Sequence, residues 1–531
     1  MQKLYYGGDI LTMVRKTDAP EALLVEDGRI RFVGGLTEAK EMCGAKAEFV
    51  NLHGRALLPS FIDGHSHISL YAKFASFPDA SGCTSFAELA LFLKNCLKEQ
   101  AGGDVLLAVG YDHNFLKEGT HPTRELLDEV SETVPICLYH SSGHMCVVNT
   151  AMLRQAGLTE RAPDPRGGHY GRYGDGTLNG YLEEPAAFAP VLLWVFKRIG
   201  QDPVKQLHEV QEIYLKYGIT TVQDGGTSAE TLKELSAAAD EGCFRVDVVA
   251  YPLFREGAQQ LFREYGRYFR RYQNRLKVAG TKIFLDGSPQ GKSAWLTRPY
   301  EGEESYCGYP TEEDSFVTEA AKSAIKQGCQ LLAHCNGDAA SDQYIRCYRR
   351  ALKAAGGGKD LRPVMIHCQT VRDDQLKEMA DIGMLPSIFV AHTYYWGDVH
   401  LKNLGAERGA RISPVKSALD CGLRYNFHQD CPVLAPDMMK TVWCAVNRVT
   451  RKGIKIGEEQ AVDVFDALKG ITVNAAYAYH EECEKGTLEP GKLADMVILE
   501  ENPLKADHVK LADIRVCETI KEGKTLYRKE A

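Results

Sequence analysis

A repeated pattern of polar and apolar positions fills the middle of the chain. Amphipathic stretches typical of helices end at a glycine, and a short apolar run typical of a buried strand follows almost at once. Glycine often follows a helix because it adopts the left-handed backbone at little cost. Such alternation of helices and strands predicts a parallel sheet. The segments are KYGITTVQD, DEGCFRVDVVAYP, KQGCQLLAHC, DIGMLPSIFV and DCGLRYNFHQD, with Gly218, Gly242, Gly328, Gly383 and Gly422 at the junctions.

The number of candidate strands indicates how the sheet is closed. Eight are found, which is the number that a (β/α)₈ barrel requires. An open doubly wound sheet is the alternative, but no GxGxxG motif follows a strand to favour a nucleotide-binding fold of that kind. We therefore predict an α/β protein built on a (β/α)8 TIM barrel. The candidate strands are residues 57–63, 219–224, 245–252, 281–287, 330–335, 364–369, 384–392 and 423–430.

Both ends of the chain show strands and tight turns instead. EALLVEDGRIRFVGG pairs two apolar runs across Asp27-Gly28, and VCETIKEGKTLY pairs two across Glu522-Gly523. Residues 1–56 and 485–531 are therefore predicted to form one small β-sandwich domain, and residues 57–484 the barrel. The first two barrel strands are about 150 residues apart, so a long insertion over about 70–205 is expected after strand one. Long loops of this kind commonly build substrate pockets.

Polar side chains recur where the predicted barrel strands end. Catalytic groups of barrel enzymes gather at the C-terminal ends of the strands, so these positions were compared first. Strand one and strands four to eight each carry a residue that can bind a metal or accept a proton. Strand one runs into His65 and His67, strand four carries Lys282, and the later strands end at His334, His367, His392 and Asp430.

His65 and His67 have the spacing of a shared ligand pair. Residues i and i+2 of an extended chain point to the same face, so both rings can bind one ion. An HxH pair alone is weak evidence for a metal site, because two unrelated histidines in a turn can have the same spacing. Its conjunction with the other strand-end residues favours a metal site. Imidazole and carboxylate together suit Zn²⁺ or another divalent transition ion, which would activate a bound water.

The chain resembles the amidohydrolase superfamily, and within it the third sequence family, which includes N-substituted formamide deformylases. HSH after an apolar strand, later single histidines and a final aspartate carry the superfamily pattern. The resemblance covers essentially the whole chain, although the family's EHxQ and SDxPV blocks appear here as IHCQ and QDCPV. Blocks similar to those of the third family are GYDHNFLKEGTHPTRELLDEV, SSGHMCVVNTAML, DPRGG, GYLEEPA, GTKIFLDGS, AHCNGDAA and ITVNAAYAYHEECEKGTLEPGKLADMVIL.

The resemblance implies a role for each strand-end residue. His65 and His67 would bind one metal, and His334 and His367 a second or shared one. Asp430 would bind metal and take the proton from the attacking water. Lys282 corresponds to the lysine that many such enzymes carboxylate with CO₂, giving an anionic carbamate that bridges two ions. Alternatively, Lys282 is an ordinary lysine paired with Asp286 or Glu184.

Substrate contacts are assigned to a separate set of residues. By resemblance to the family's GH block, His144 is one candidate, and Glu184 matches the acidic residue of the family's GxLxExA block. For all of them simple packing is the alternative. The cysteines that directly follow proposed ligands are expected to point away from the site, since adjacent strand residues face opposite sides. The substrate-contact candidates are His144, Glu184, Trp295, His392 and Asp112, and the cysteines are Cys335, Cys368 and Cys431.

Composition narrows the class of protein. Charged residues make up 25% of the chain, the net charge is −8, and Lys and Arg are spread out, so nothing indicates a nucleic-acid partner. No stretch has the roughly 18 apolar residues of a membrane span, and the N-terminus lacks a signal-peptide pattern. The 16 cysteines show no CxxC spacing and are read as reduced thiols of a cytoplasmic protein. A homodimer is the default expectation.

These observations predict a metal-dependent hydrolase that cleaves an amide or formamide-type C–N bond of a small molecule. One or two divalent ions, with Zn²⁺ expected, would activate the water, and a CO₂-derived carbamate is expected on Lys282. Hydrolytic deamination of a heterocyclic amine is the second enzymatic hypothesis, and the strand-four lysine argues against it. A ligand-sensing barrel that has lost catalysis is the non-enzyme hypothesis.

Overall fold

The computed structural model describes residues 2–100, 103–200, 202–357 and 360–530. The chain divides into two compact units. The larger consists of Met1–Ser69, Leu207–Cys431 and Ala435–Ala531, and the smaller of Leu70–Gln206 and Pro432–Leu434.

Eight parallel strands form the centre of the larger unit. Backbone pairing runs in order from β1 to β3 and from β4 to β8. A parallel bridge between Leu253 and Lys282 joins β3 to β4. The Gly64 N–H donates to Phe427 O at 3.1 Å and closes the circuit between β8 and β1. The strands are Phe61–Ile62 (β1), Ile219–Thr227 (β2), Asp247–Pro252 (β3), Gly280–Phe284 (β4), Gln330–Cys335 (β5), Val364–His367 (β6), Leu385–Ile388 (β7) and Asn426–Phe427 (β8).

Helices cover this barrel, which confirms the predicted α/β barrel class. All five junction glycines have φ between 65° and 81°, so each one adopts the left-handed backbone that ends a helix. The α-helices of the chain are Leu36–Glu41, Ile68–Phe74, Phe86–Glu99, Arg124–Asp128, Thr150–Gln155, Pro185–Ile199, Pro203–Lys216, Ala229–Asp240, Ala258–Glu264, Asp314–Gln327, Asp338–Ala354, Asp373–Asp381, His392–Tyr395, Gly397–Ala410, Val415–Asp420, Met438–Asn447, Val464–Gly470 and Val473–Ala478.

The first predicted strand, residues 57–63, is in fact two strands in different sheets. Ala56–Pro59 pairs with Met496–Leu499, far along the chain, whereas Phe61–Ile62 pairs with β2. Every residue of both segments is buried, so one apolar run serves two sheets. Hydrophobic pattern alone cannot show such a switch, because buried strands of either sheet have the same composition.

Segments from both termini build two further sheets of the larger unit. The predicted hairpin turns are present, with positive φ at both Asp27-Gly28 and Glu522-Gly523. Leu23 and Val25 of the first sheet share an apolar core with Leu57 and Met496 of the second. The β-sandwich description and the domain bounds stay predictions. The sheets consist of Gln2–Tyr6, Ala22–Glu26, Arg29–Gly34 and Glu48–Asn51, and of Asp9–Ile10, Ala56–Pro59, Met496–Leu499, Val516–Lys521 and Lys524–Arg528.

The smaller unit is built on a mixed five-stranded sheet. Among the described strands, Leu106–Tyr111 pairs in parallel with Ile136–His140, and the other neighbouring strands of this sheet pair antiparallel. Two apolar cores pack against the sheet. Among the described residues of the whole chain, no helix has the length and apolar character needed to span a membrane. The strands in spatial order are His169–Arg172, Leu178–Glu183, Met145–Val148, Ile136–His140 and Leu106–Tyr111.

Candidate metal centre

The strand-end residues converge in the larger unit, with Asp430 at their centre. One carboxylate oxygen of Asp430, Oδ1, lies 3.3 Å from Nε2 of His67 and 3.5 Å from Nε2 of His65. The other oxygen, Oδ2, lies 3.9 Å from Nε2 of His367. Residues contributed by β1, β6 and β8 therefore meet although they are separated by hundreds of positions in the sequence.

His334 and Lys282 complete the group. The His334 ring lies 4.5 Å from the His367 ring, centroid to centroid. The Nζ atom of Lys282 lies 3.2 Å from Nε2 of His65. All six strand-end residues that the resemblance assigns to metal, His65, His67, Lys282, His334, His367 and Asp430, thus form one cluster.

The chemistry of this cluster fits a divalent cation. One ligand atom from each of His65, His67 and Asp430 lies within 4.8 Å of the others. Oδ1 of Asp430 is buried and has no hydrogen-bond partner among the described residues. Because a buried polar atom without a well-aligned partner is costly, a divalent cation bound at this oxygen would offset that cost.

Protonation states also suit metal binding. Burial is the main cause that lowers the pKa of His65 and of His367 well below the usual value, so both rings are neutral donors of a lone pair. Burial raises the pKa of Asp430, but His367 and the other nearby imidazoles outweigh this effect and hold it well below its usual range. Burial lowers the pKa of Lys282 to about 7.

Small residues make room for the cluster. A Cβ atom on Gly64 would lie 2.2 Å from Oδ1 of Asn426 and 2.7 Å from O of Phe427, so β1 and β8 approach this closely only with glycine here. A Cβ atom on Gly225 would lie 2.3 Å from Cε1 of His65 and would displace that ring. These two glycines let the fold bring His65 beside Asp430.

Two of the clustered residues have an unusual backbone. The φ angle is 79° at His367 and 56° at Asp430, in the left-handed region that most residues avoid. Such positions cost of the order of 1–3 kcal/mol each and persist where the surrounding structure imposes them. Both residues follow or end short barrel strands, so this backbone turns their side chains toward the site.

Polar neighbours orient the histidine rings. Nδ1 of His65 donates to Oε1 of Gln223, whose amide nitrogen donates to Gly64 O at 3.1 Å and to the Tyr479 hydroxyl at 2.9 Å. Nε2 of His65 is thereby left with its lone pair toward Asp430. Asp286 has the same relation to His334, since its Oδ1 lies 3.1 Å from Nδ1 of that ring. Outer partners of this kind fix the tautomer of a metal-binding histidine.

His428 is a further buried member of the cluster that the sequence analysis missed. Its Nε2 lies 3.2 Å from Nδ1 of His367, and its Nδ1 shares a hydrogen bond of 2.9 Å with Ser387. Burial lowers the pKa of His428 to about 3. The signal was available, because His428 stands two residues before Asp430, the same spacing that paired His65 with His67.

The predicted substrate contacts of the larger unit are Trp295 and His392. The Trp295 main-chain N–H donates to Oδ2 of Asp286 at 3.1 Å, so Trp295 is tied to the residue that orients His334. His392 does not end a strand as predicted, but begins the short helix His392–Tyr395 after β7. Its Nδ1 lies 3.0 Å from Nε2 of His400, and its ring packs 4.6 Å from that of Phe389.

The other three predicted substrate contacts belong to the smaller unit. Nδ1 of His144 lies 2.8 Å from Oε2 of Glu184, and Glu184 is buried. Asp112 is also buried and accepts hydrogen bonds from Asn114. A histidine–glutamate contact and a buried aspartate are thus built within this unit.

The cysteines next to the proposed ligands are buried thiols. Burial raises the pKa of Cys335 and of Cys431 well above the usual value, so neither is a thiolate. Burial raises that of Cys368 as well. Neither of the two groups of ligand atoms found in the described part of the chain includes a cysteine.

Comparison with known proteins finds similarity along nearly the whole chain. Residues 48–527 match the sequence model of the Amidohydrolase family. The N-substituted formamide deformylase of Arthrobacter pascens is 27% identical, with 98% of each chain covered. The putative amidohydrolase YtcJ of Bacillus subtilis is 25% identical over the full length of both. A solved structure, an uncharacterized metal-dependent hydrolase from Pyrococcus horikoshii, has a TM-score of 0.77 at 25% identity and covers 96% of this chain and 99% of its own.

Proposed function

The chain belongs to the amidohydrolase family, and on that premise we propose that it hydrolyses an amide or formamide-type C–N bond of a small molecule. The observation that carries the proposal is the buried Oδ1 of Asp430, which lies beside the neutral ring of His65 and the ring of His67. The name of the deformylase relative, which is similar over nearly the whole chain, supports this class of bond.

The proposed metal ligands are His65, His67 and Asp430, with His334, His367 and Lys282 completing a site for one or two ions. Nitrogen and carboxylate donors favour Zn²⁺. A bound divalent ion supplies a Lewis acid that polarises the carbonyl and lowers the pKa of water toward about 7.

Asp430 is the proposed proton carrier. Its carboxylate is ionised, because His367 and the other nearby imidazoles outweigh burial and hold its pKa well below the usual range. It accepts a proton from the attacking water and delivers it to the leaving nitrogen, so that amide and water give a carboxylic acid and an amine. His428 does not touch the carboxylate in this scheme, but holds the His367 ring through their shared contact.

Lys282 is proposed to carry a carbamate. Only an unprotonated amine reacts with CO₂, and a pKa of about 7 makes much of this amine neutral at physiological pH. The amine adds to CO₂ and releases one proton, which leaves an N-carboxylate with two anionic oxygens. These would sit beside His65, where a bare ammonium would repel a metal ion. We expect an intact-protein mass about 44 Da above the sequence mass, and we expect this increment to be lost on acidification.

Substrate recognition is proposed for Trp295 and His392, and for His144, Glu184 and Asp112 of the smaller unit. Alanine variants of substrate contacts are expected to raise KM more than they lower kcat, because such residues bind substrate and transition state alike. A variant with unchanged KM removes its residue from the set. We further propose a homodimer as the working assembly, which sedimentation of the purified chain tests.

The deciding experiment is a substrate screen with metal analysis. Protein loaded with Zn²⁺ or Mn²⁺ is offered formamides, N-acyl amino acids, cyclic amides and carbamates, with Asp430→Asn as the inactive control. We expect amine release from at least one class and metal in the protein. Ammonia release from heterocycles, with one ion per chain, would favour deamination instead. Protein that retains no metal after loading would contradict the proposal.

A further inference from the structure

A second cluster of histidines lies within the smaller unit. His113 is in the short 3-10 helix His113–Phe115, His121 is in the loop that follows, and His140 ends the strand Ile136–His140. One ring nitrogen from each lies within 4.8 Å of the others. Neither the substrate contacts nor the reaction proposed above uses these three rings.

The rings are close enough to share an ion. Nδ1 of His113 lies 3.1 Å from Nε2 of His140. The ring of His121 lies 3.9 Å from that of His113 and 5.4 Å from that of His140, centroid to centroid. Ligand atoms about 2.0–2.1 Å from a tetrahedral zinc are about 3.3–3.4 Å apart, so only small shifts would complete such a site.

Outer partners are in place for two of the rings. Nδ1 of His121 lies 3.0 Å from the Tyr111 hydroxyl, and Nδ1 of His140 lies 2.9 Å from the Ser142 hydroxyl. If each Nδ1 donates to its hydroxyl, each Nε2 keeps a free lone pair, which is the arrangement of metal-binding histidines. The Ser142 N–H also lies 3.0 Å from Nδ1 of His140 and favours the opposite tautomer of that ring in the metal-free chain.

A buried carboxylate lies beside the cluster. Oδ1 of Asp112 is 3.5 Å from Nε2 of His140 and 3.8 Å from Nδ1 of His113. The side chains of Asp112 and His140 are 2% and 0% exposed, whereas that of His113 is 14% exposed, so the cluster has a buried floor and an accessible side. An anionic oxygen at this distance offsets the charge of a divalent cation.

We propose that His113, His121 and His140 form a second metal site, which binds Zn²⁺ or a similar divalent transition ion through three imidazoles next to Asp112. Imidazole nitrogens are the preferred donors of such ions, and three of them with a carboxylate can fill a tetrahedral site. The ion would link the 3-10 helix and the loop to the end of the strand. The alternative is a stack of hydrogen-bonded histidines that binds no metal.

Metal content of the full-length chain tests the site. After loading with Zn²⁺ and removal of loose metal, the variant His113→Ala/His121→Ala is expected to hold one zinc per chain fewer than the unchanged protein. His169→Ala is the matched control, because this histidine of the same unit is exposed and paired with Asp164. Equal zinc in all three proteins would overturn the proposal.

Two measurements separate this site from the barrel centre. His65→Ala/His67→Ala is expected to lose metal from the barrel and to keep the ion in the smaller unit, which Co²⁺ absorption at a tetrahedral site would report. The unchanged protein, crystallised with Zn²⁺, is expected to show anomalous scattering between the three rings. A map without that peak overturns the proposal even if the histidine variants fail to fold.

Discussion

Two buried lysines of the larger unit lie in opposite surroundings. Nζ of Lys485 is 2.6 Å from Oδ2 of Asp247 and 2.9 Å from Oε2 of Glu481, and these two carboxylates outweigh burial and raise its pKa above the usual value. In the part of the chain that the structure describes, no carboxylate lies within ion-pair distance of Nζ of Lys282, so burial lowers its pKa to about 7. Lys485 is therefore a cation at physiological pH, whereas a large fraction of Lys282 is the neutral amine.

The position of each lysine in the barrel explains the difference. Asp247 is the first residue of β3 and also accepts a hydrogen bond from Lys521 at 2.7 Å, so the N-terminal side of this strand holds a network of matched charges. At the C-terminal strand ends, by contrast, Nζ of Lys282 lies 3.2 Å from Nε2 of His65, which is an imidazole rather than a carboxylate. Matched charges hold a fold together, whereas unmatched ones are kept for a ligand or a reaction.

Breaking the matched network is expected to have the largest effect on stability. Lys485→Met leaves Asp247 and Glu481 buried with one partner fewer, so the free energy of unfolding should fall by about 3–5 kcal/mol. Guanidinium titration followed by tryptophan fluorescence measures it. Lys282→Met is the matched control and should cost far less, because it removes an unpaired buried amine. An equal loss in both variants would contradict the comparison.

Removing the carboxylate charge of Asp430, at the C-terminal ends of the barrel strands, is expected to affect turnover rather than stability. Asp430→Asn should lower kcat at least ~10²-fold, about 2.7 kcal/mol in the barrier, since the amide cannot accept the proton. Steady-state kinetics with the best substrate of the screen measures this, and circular dichroism checks the fold. The exposed Asp420→Asn serves as control. Near-normal turnover of Asp430→Asn would remove this residue from the mechanism.

Altering the residue that orients His65 is expected to have a smaller effect. Gln223→Leu removes the acceptor of the Nδ1 proton, so metal affinity should fall by about 10–100-fold while kcat at saturating metal changes less. Competition with a chelating dye gives the affinity. Gln211→Leu is the control, since this buried glutamine bonds main-chain groups of Leu207 and Cys243. Unchanged affinity in Gln223→Leu would show that the ring needs no such support.

The smallest expected effect, counted per pH unit, is the pH dependence of stability due to Lys282. In metal-free, CO₂-free buffer its pKa is about 7 in the folded chain against 10.5 ordinarily. Between these values the unfolded chain binds a proton that the folded chain does not, so stability should rise with pH by up to about 1.4 kcal/mol per unit. Below about pH 7 the penalty is constant. The difference in the free energy of unfolding between the wild type and Lys282→Met, measured across this pH range, isolates this slope. A difference that does not change with pH would contradict the prediction.

The helix-ending glycines and the apolar runs after them were sufficient to predict the barrel. The apolar run over residues 57–63 led to a wrong prediction of one strand, because two sheets share this run. Only its pairing with the distant strand Met496–Leu499 shows that its first part belongs to another sheet. At the site, the alternation rule found His65 and His67 but was not applied to His428, which the structure places beside His367. Gln223 and Asp286 could not be found this way, because orienting residues have no typical spacing.

By itself the sequence determined the class of protein, since glycine positions, apolar period and ligand-type residues at strand ends are local properties. Only the tertiary structure decided which charges are matched. Lys282 and Lys485 are the same residue type and both are buried. Their pKa values differ because Coulomb interactions depend on distance. Those distances are set when the barrel closes and brings together strands that are far apart in the sequence.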